Sequence, residues 1–323
     1  MKIKDIAKEL HLSPSTVSKA LNGRFDISKE TRDMVLDYAK KHGFVPSHEK
    51  LTHSTIRRIC AIFDNYNSAS IISPLLLSFS RHALKNNFEV IQTPISVINN
   101  YDEFMTKNNF DCSFIVGLSY KSPLLEQIKN TKFPTILYDS ILNGEKVSTI
   151  SSENIISVSR LIKELYAMGH TKIGFVTGDK NSFVSSERLA GYIIGLAEVN
   201  ISYNADYVCF GGYTEEAGMR AADFFMDKDV TAIVCSADII AIGLMKGLEN
   251  KGIKVPDQVS VVGYDDLEIA KYVNPSLSTV KQDLDLISER AFQMLSAMLL
   301  NRPAQRIIVN SEIIIRDSIK KIN

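Results

Sequence analysis

Apolar side chains recur at helical spacing in three short runs within the first 42 residues. The runs predict helices over about 4–10, 14–21 and 28–41. The second opens at Ser13-Pro14, because Ser is a good N-cap and Pro suits the first helical position. Only about four residues separate the first two helices, which predicts a helix-turn-helix arrangement. The positions predicted to face inward are Ile3, Ile6, Ala7 and Leu10, then Val17, Ala20 and Leu21, then Met34, Val35, Tyr38 and Ala39.

From residue 59 onward, strand-like and helix-like segments alternate. Short loops between them predict an α/β fold with doubly wound parallel sheets. About 265 residues exceed one compact core, so we expect two lobes, with ligands bound at the carboxyl ends of strands that face the cleft between them. Strands are predicted over 59–63, 88–93, 110–116, 135–138, 172–177, 232–235 and 260–264, and helices over 72–87, 124–130, 154–168, 188–199, 215–226, 239–251 and 284–300.

Charge is unevenly distributed along the 323 residues, although 37 basic and 37 acidic residues leave no net charge. Residues 1–60 hold 12 Lys and Arg against 7 Asp and Glu, a net +5, and the remainder is −5. A basic head on an acidic body indicates a polyanion-binding module joined to something else. The composition, 45% hydrophobic and 23% charged, excludes a disordered or fibrous chain.

The four cysteines, Cys60, Cys112, Cys209 and Cys235, form neither a C-x-x-C pair nor a Cys/His metal spacing. We interpret them as small core residues in a reducing cytosol. The N-terminus lacks the apolar stretch of a signal peptide, and no run approaches the ~20 apolar residues needed to span a bilayer. These features predict a cytoplasmic protein without a membrane partner, and no cofactor or metal is expected.

The outward face of the second predicted helix carries short hydroxyl side chains and one cation. Such groups suit base edges and phosphates in the major groove better than a core. The alternative for a generic three-helix segment is a small bundle with a solvated basic face. The outward residues are Pro14, Ser15, Thr16, Ser18 and Lys19.

The literal string of the head decides between these alternatives. Its segments are Lys4-Asp-Ile-Ala-Lys, Leu12-Ser-Pro-Ser-Thr-Val-Ser-Lys-Ala-Leu-Asn22, Ile27-Ser-Lys-Glu-Thr-Arg and Gly43-Phe-Val-Pro46. Over about 46 residues, this string resembles the DNA-binding head of LacI/GalR-family transcriptional regulators. The resemblance implies that Ser15, Thr16, Lys19 and Asn22 contact DNA. Lys19 stands where many members have Arg, and Lys lacks the planar fork that reads guanine bidentately.

Residues 47–58 occupy the place of the family's hinge helix, which packs in the minor groove and wedges a Leu between base steps. The usual Asn-x-x-Ala-Arg-x-Leu pattern is absent, and the segment is about two residues short. Leu51 is the Leu available as a wedge, and the alternative is a flexible basic tether. A shortened hinge puts the usual spacing of operator half-sites in doubt.

The body resembles the family's sensor, which is built like periplasmic sugar-binding proteins. With the head, the resemblance covers nearly the whole chain. The matching segments are Gly169-His-Thr-Lys-Ile-Gly-Phe, Arg188-Leu-Ala-Gly-Tyr192, Val259-Ser-Val-Val-Gly-Tyr-Asp-Asp266 and Leu277-Ser-Thr-Val-Lys-Gln282.

This resemblance implies an effector site between the lobes. Arg188 begins a helix near the cleft, where its fork suits hydroxyls, a carboxylate or a phosphate. Asp238 and Asp265 follow apolar strands and accept hydroxyl hydrogen bonds, and Tyr213 stacks on the ligand. Asp64 is a weaker candidate from the first lobe.

Four departures make the first-lobe side of this cleft atypical. At the place of the family's Asn-Pro-Phe-Phe the chain has Ala69-Ser-Ile-Ile72, and at the place of its Asp-Arg it has Asp139-Ser140. The family's Asp-Asn is Glu153-Asn154 here, and its Asn-Asp is Ala237-Asp238. They indicate an unusual effector or a weakened response to ligand.

The resemblance predicts a DNA-binding transcriptional regulator, and a repressor is the first expectation. It would act on operator DNA as a homodimer or tetramer. Its operator affinity would be controlled by a sugar, phosphosugar or similar effector. We expect domains at 1–46 (head), 47–58 (hinge) and 59–323 (sensor). The sensor's first lobe would hold about 59–152 and 282–307, and its second about 153–281 and 308–323.

Three other functions compete with this one. An enzyme is disfavoured because the chain has no G-x-G-x-x-G after a strand, G-x-x-x-x-G-K-[ST], G-x-S-x-G or H-E-x-x-H. A solute-binding protein would need a secretion signal and would have no use for residues 1–46. A DNA-binding regulator that has lost ligand control and responds to a protein partner stays open.

Overall fold

The computed structural model describes residues 3–21, 27–42, 56–64 and 69–322. By internal contacts the chain divides into two compact units, residues 1–57 (the head) and 58–323 (the body). Within the described parts, no helix combines the length and apolar character needed to cross a membrane.

The described head contains three helices, α1 (Ile3–Glu9), α2 (Pro14–Leu21) and α3 (Lys29–Lys41). The Ser13 hydroxyl accepts the Thr16 N–H at 3.0 Å and so caps α2, as the sequence predicts. One prediction for the core is wrong: the Met34 side chain is 46% exposed, because it lies on the outer side of α3. The core of the head is formed by Ile6, Ala7, Val17, Ala20, Val35 and Ala39.

One six-stranded sheet organises the first half of the body, which we call the N-lobe. Its strand order is β2-β1-β3-β4-β5-β11, and the pairs from β1 to β11 are parallel. Apolar clusters cover both faces, one under α4 and α11 and the other under α5 and α6. The strands are β1 (Arg57–Phe63), β2 (Phe88–Pro94), β3 (Cys112–Val116), β4 (Thr135–Tyr138), β5 (Val147–Ser152) and β11 (Arg306–Val309), and the helices are α4 (Ala69–Lys85), α5 (Tyr101–Lys107), α6 (Leu125–Lys129) and α11 (Leu284–Leu299).

A second six-stranded sheet forms the C-lobe, in the order β7-β6-β8-β9-β10-β12. Its pairs are parallel except that β12 runs antiparallel to β10. Helices α9 and α10 cover one face, and α7 and α8 cover the other. The strands are β6 (Ile173–Thr177), β7 (Val208–Phe210), β8 (Ala232–Cys235), β9 (Ser260–Asp265), β10 (Ser278–Gln282) and β12 (Ser311–Ile314), and the helices are α7 (Asn154–Ala167), α8 (Phe183–Glu198), α9 (Glu215–Phe225) and α10 (Asp238–Asn250).

The chain passes between the lobes three times, and each passage is a single residue between two elements. Glu153 separates β5 from α7, Asp283 separates β10 from α11, and Asn310 separates β11 from β12. Such short connections place the carboxyl ends of both sheets opposite one another, so the cleft lies where doubly wound sheets bind ligands.

The predicted α/β class with two doubly wound sheets is confirmed. Several boundaries differ from the prediction, and two of these differences bear on the hinge and on the cleft. Strand β1 begins at Arg57, so the last two residues assigned to the hinge belong to a strand. Helix α8 begins at Phe183 rather than at Arg188, because Asp179 and Ser182 form the turn that precedes it.

Candidate ligand cleft and nucleic-acid interface

A cavity of about 220 Å³ lies between the lobes at the switch points of both sheets. In each sheet the chain changes direction between the first strand and the third in sequence, β1 and β3 in the N-lobe and β6 and β8 in the C-lobe. Loops diverge there and leave a crevice. The described residues that line it include Asp64 after β1, Leu118 after β3, Asp179 after β6 and Ala237 after β8.

Arg188 is the centre of the buried polar groups in this cleft, and its side chain is almost completely buried. It lies on the second turn of α8. Its Nε donates to Asn154 Oδ1 at 2.9 Å, and its Nη1 donates to the Ser236 carbonyl at 2.6 Å. The guanidinium stacks 3.6 Å above the centroid of the Tyr264 ring. Such a fixed planar cation orients the groups around it.

Two buried carboxyl groups face Arg188 from opposite lobes. Asp265 Oδ1 lies 3.9 Å from Arg188 Nη1, and Asp139 accepts from Asn154 Nδ2 at 3.4 Å. Burial raises the pKa of Asp265 to about 7 and that of Asp139 to about 6, while Arg188 opposes both shifts. Both residues have positive φ, at 127° and 51°, which turns their side chains at the strand ends.

Gln282 links the lobes beneath the cavity. Its Oε1 accepts from Tyr138 Oη at 2.7 Å and from Ser152 Oγ at 2.5 Å, both in the N-lobe. Its Nε2 donates to Asp265 Oδ1 at 2.7 Å in the C-lobe. The Gln282 side-chain amide therefore connects the Asp265 carboxyl group in the C-lobe to the ends of β4 and β5 in the N-lobe.

Tyr213 closes one wall of the cavity by lying directly on Gly178. A Cβ added at Gly178 would meet the Tyr213 ring at 2.2 Å, so only glycine permits this contact. The Tyr213 hydroxyl is 2.8 Å from Ser185 Oγ on α8. The ring is therefore held on both sides and presents an aromatic surface to the cavity.

Four of the five residues predicted for the effector site lie together along this cavity: Asp64, Arg188, Tyr213 and Asp265. The structure does not bring Asp238 into the same lining. The Asp238 carboxylate is fully buried beneath it, where Oδ1 accepts from Thr279 Oγ1 at 2.5 Å and Oδ2 accepts from the Leu267 N–H at 2.8 Å. Asp238 therefore supports the loop that follows Asp265.

The sequence prediction missed four polar residues that shape the site. Asp139 and Asn154 each match the family residue in a pair whose other member, Ser140 or Glu153, departs from the pattern, and neither was assigned a role. Gln282 stood inside a matching segment with no assigned role. Asp179 directly follows the β6–Gly178 end, a position typical of ligand-contacting loops in doubly wound sheets.

The two lobes also touch at the rim of the cavity. The Tyr120 N–H donates to the Asn181 carbonyl at 3.0 Å, and the Tyr120 ring packs edge-on against Phe183 with centroids 6.1 Å apart. These contacts hold the lobes close on that side.

On the head, α2 presents Ser15 and Lys19 to solvent, and Thr16 is half-buried. The Thr16 hydroxyl lies 2.8 Å from Ser13 Oγ, so part of its hydrogen-bonding capacity serves the helix cap. Asn22 and Leu51, the other two residues predicted to contact DNA, lie outside the described residues.

Comparison with known proteins assigns both units. The model of the family described as bacterial regulatory proteins, lacI family, matches residues 2–47. The model of the periplasmic binding protein-like domain matches residues 162–319. The chain belongs to the lacI family of bacterial regulatory proteins.

Two curated relatives align along nearly the whole chain. The “Probable HTH-type transcriptional repressor ExuR” of Bacillus subtilis is 27% identical, over 99% of this chain and 98% of its own length. The “HTH-type transcriptional repressor PurR” of Vibrio campbellii is 26% identical, over 99% of both. The solved structure “transcriptional regulator CelR-cellobiose complex” shares the fold, with a TM-score of 0.75 at 22% identity over 98% of this chain and 99% of that one.

Family membership assigns the roles of the two units in outline. The helix-turn-helix head is the DNA-binding domain of a transcriptional regulator of the repressor type, and the body is its sensor domain. Members of this family are transcriptional regulators, which is the class that the head string predicts.

Proposed function

We propose that this lacI-family member represses transcription at an operator and that a small molecule bound in the cleft controls its affinity for that operator. The observation that carries the proposal is the convergence of Asp139 from one lobe and Arg188, Tyr213 and Asp265 from the other on one cavity. A ligand that touches both lobes stabilises one relative position of them, and that difference in affinity is what an effector needs.

The proposed DNA contacts are Ser15, Thr16 and Lys19 on α2, with Asn22 at its end and Leu51 in the hinge. The exposure of Ser15 and Lys19 supports this, because neither side chain is needed for the core of the head. One small head makes too few contacts for high affinity. We therefore propose a homodimer on a pseudo-palindromic site, in which each sensor carries one head through its 47–58 segment.

The domain limits that follow are proposals as well. The head would hold 1–46, the hinge 47–58 and the sensor 59–323. Within the sensor, one lobe would hold about 59–152 and 282–307 and the other about 153–281 and 308–323. The single-residue passages at Glu153, Asp283 and Asn310 support these limits to within a few residues.

The test uses the full chain and an operator selected from random DNA. Fluorescence anisotropy would follow operator binding at two salt concentrations while a library of sugars, phosphosugars and nucleobases is added. We expect affinity to fall steeply with salt and one ligand class to change it about 5–150-fold. Ser15→Ala or Lys19→Ala should each weaken specific binding by about 1–3 kcal/mol.

Asp265→Ala is the control for the sensor. It should keep operator binding and lose the response to the ligand, because the cleft loses a buried acceptor. If the wild type binds the operator tightly but no small molecule in the library changes that affinity, control by a protein partner replaces control by a ligand. If the chain binds all DNA equally, the proposed recognition face is wrong.

A further inference from the structure

The described residues that line the cavity carry four carboxyl groups and a single cation. The carboxyl groups are those of Asp64, Asp139, Asp179 and Asp265, and the cation is Arg188. They come from the ends of β1, β4, β6 and β9, so they surround the cavity from both lobes. Carboxyl groups therefore outnumber cations four to one among these lining residues.

Protein groups already engage much of the Arg188 guanidinium. Its Nε and Nη1 already donate to Asn154 and to the Ser236 carbonyl, and Nη1 also lies beside Asp265. One face of the guanidinium is covered by the Tyr264 ring. The N–H groups on Nη2 are left to donate to a ligand, but this single cation faces four carboxyl groups around the cavity.

An anionic ligand would also meet unfavourable charges at close range. Like charges a few ångströms apart cost most in a site from which water is displaced, because the local dielectric constant is low. Asp139 and Asp265 are themselves buried here, and burial raises the pKa of each because it disfavours the charged form. A second set of negative charges would raise that cost further.

The same lining suits a hydroxyl-bearing or amine-bearing ligand. Carboxylates accept hydrogen bonds from hydroxyl groups and from ammonium groups. The aromatic wall of Tyr213 and the side chains of Leu118 and Val184 suit the C–H faces of a ring. The volume of about 220 Å³ is below the roughly 300–1,000 Å³ of pockets for drug-sized ligands, so one ring fits better than two.

We propose that the cleft selects its ligand by charge: it takes a single-ring polyhydroxy compound, and affinity falls in the order amino-substituted, neutral, acidic. Uronates and phosphosugars are excluded as effectors. The inference rests on the proposed function only in taking this cleft as the ligand site.

The test is isothermal titration calorimetry on the full chain with two sets of matched probes. One set is glucosamine, glucose and glucuronate, and the other is galactosamine, galactose and galacturonate. In the set whose ring fits, the amine should bind at least as tightly as the neutral sugar, and the acid at least about tenfold more weakly than the neutral sugar. An acid that binds as tightly as its neutral parent, or a neutral sugar that binds more tightly than its amine, overturns the proposal.

Charge variants separate this selectivity from ring shape. Asp179→Asn keeps an oxygen that can accept the Asn181 N–H, now 2.7 Å from Asp179 Oδ1, and removes one negative charge from the rim. It should reduce the ratio of amine affinity to acid affinity at least about threefold, or 0.7 kcal/mol. Asp227→Asn is the matched control, because it makes the same change beyond the far end of α9, about 16 Å of helix from Tyr213. Equal ratios in wild type and Asp179→Asn overturn the proposal.

The proposed function fails by a different result. If none of the six probes binds, the single-ring polyhydroxy class is wrong, while regulation by another ligand is still judged by the operator assay. If no compound changes operator affinity but the probes bind in the stated order, charge selection holds and control of DNA binding fails.

Discussion

Gly178 shows how one absent side-chain atom shapes the cleft. The Tyr213 ring occupies the space that a Cβ at this position would need. Gly178→Ala should therefore displace the ring, break its contact with Ser185 and cost about 1–3 kcal/mol, the range for an overpacked site. Urea denaturation of the body measures the loss, and the near-ultraviolet circular dichroism of the tyrosines should change with it.

Gly211 provides the matched control for that substitution. A Cβ there would come no closer than 3.4 Å to its neighbours, an ordinary contact. Gly211→Ala should leave the tyrosine signal unchanged and alter stability by less than Gly178→Ala. Similar losses for both variants would mean that Tyr213 is free to move away from Gly178.

Asp139 makes the stability of the body depend on pH. Its pKa is raised from 3.8 to about 6 in the folded chain, first by burial. Between those values the folded state holds a proton that the unfolded state has lost, so stability falls as pH rises through about 4 to 6. Asp139→Asn should match wild type near pH 4 and be more stable at pH 7 by up to about 3 kcal/mol.

Asp265 acts in the same direction up to about pH 7 and remains in the Asp139→Asn variant, so a weaker slope should persist there. Urea denaturation at pH 4, 5.5 and 7 measures the two slopes. Asp227→Asn, which changes a surface carboxylate, is the control. Parallel curves for wild type and Asp139→Asn would show that this carboxyl group titrates normally.

At the scale of elements, the short helix α2 depends on its cap. The Ser13 hydroxyl accepts the Thr16 N–H, which would otherwise have no partner within the helix. Ser13→Ala should destabilise α2 by about 1 kcal/mol. Hydrogen–deuterium exchange of the α2 amides in the full chain should become faster, and operator affinity should fall with it.

Ser15→Ala is the natural comparison on the same helix. The Ser15 side chain is exposed, and Ser15 is the second residue of α2. Amide exchange should therefore stay close to wild type in Ser15→Ala, while specific operator binding weakens. Faster exchange in both variants would mean that Ser15 supports the helix rather than the DNA contact.

The elements that sequence reasoning missed are those whose pattern is weak. Strand β5 is fully buried, yet its sequence Val-Ser-Thr-Ile-Ser-Ser is mostly polar, because Ser148 and Ser152 bond to groups across the sheet and between lobes. Helix α5 has only seven residues, but its Asn100 cap, which accepts the Glu103 N–H at 3.1 Å, was a readable start signal. Long apolar-periodic helices such as α7 and α11 were predicted to within about two residues.

The residues of the site were predictable to the same extent as the elements that carry them. Arg188 and Asp265 were found because each stands in a matching segment, and Tyr213 because it matches an aromatic position of the family. Asp238 was expected beside them, but its carboxylate lies under the loop that follows Asp265. Ser152 and Gln282 are 130 residues apart, and such a pairing leaves no local signal in the sequence, so the hydrogen bonds that bridge the lobes could not be predicted from it.

At the scale of the whole molecule, the three passages between the lobes are tied to one another. The Glu153 carboxylate, at the first passage, accepts from the Ser311 N–H at 3.0 Å, just after the third. It also accepts from Arg160 Nη2 at 2.8 Å. Gln282, at the second passage, accepts from Ser152, just before the first. The three passages should therefore bend together, and the two lobes should move as rigid bodies about these passages.

Glu153→Ala tests that coupling. The side chain is nearly buried, and its loss leaves the Ser311 N–H without an acceptor and Arg160 without its carboxylate. We expect a cost of about 1–3 kcal/mol, with the urea transition of the body broadening as the lobes unfold less cooperatively. Glu312→Ala is the control, because Glu312 meets Lys281 at 3.9 Å with both side chains well exposed, and an exposed pair contributes at most about 1 kcal/mol. If the urea transition of Glu153→Ala is as sharp as that of Glu312→Ala, the lobes are held together by the cleft contacts and by Gln282, and not by the Glu153 carboxylate.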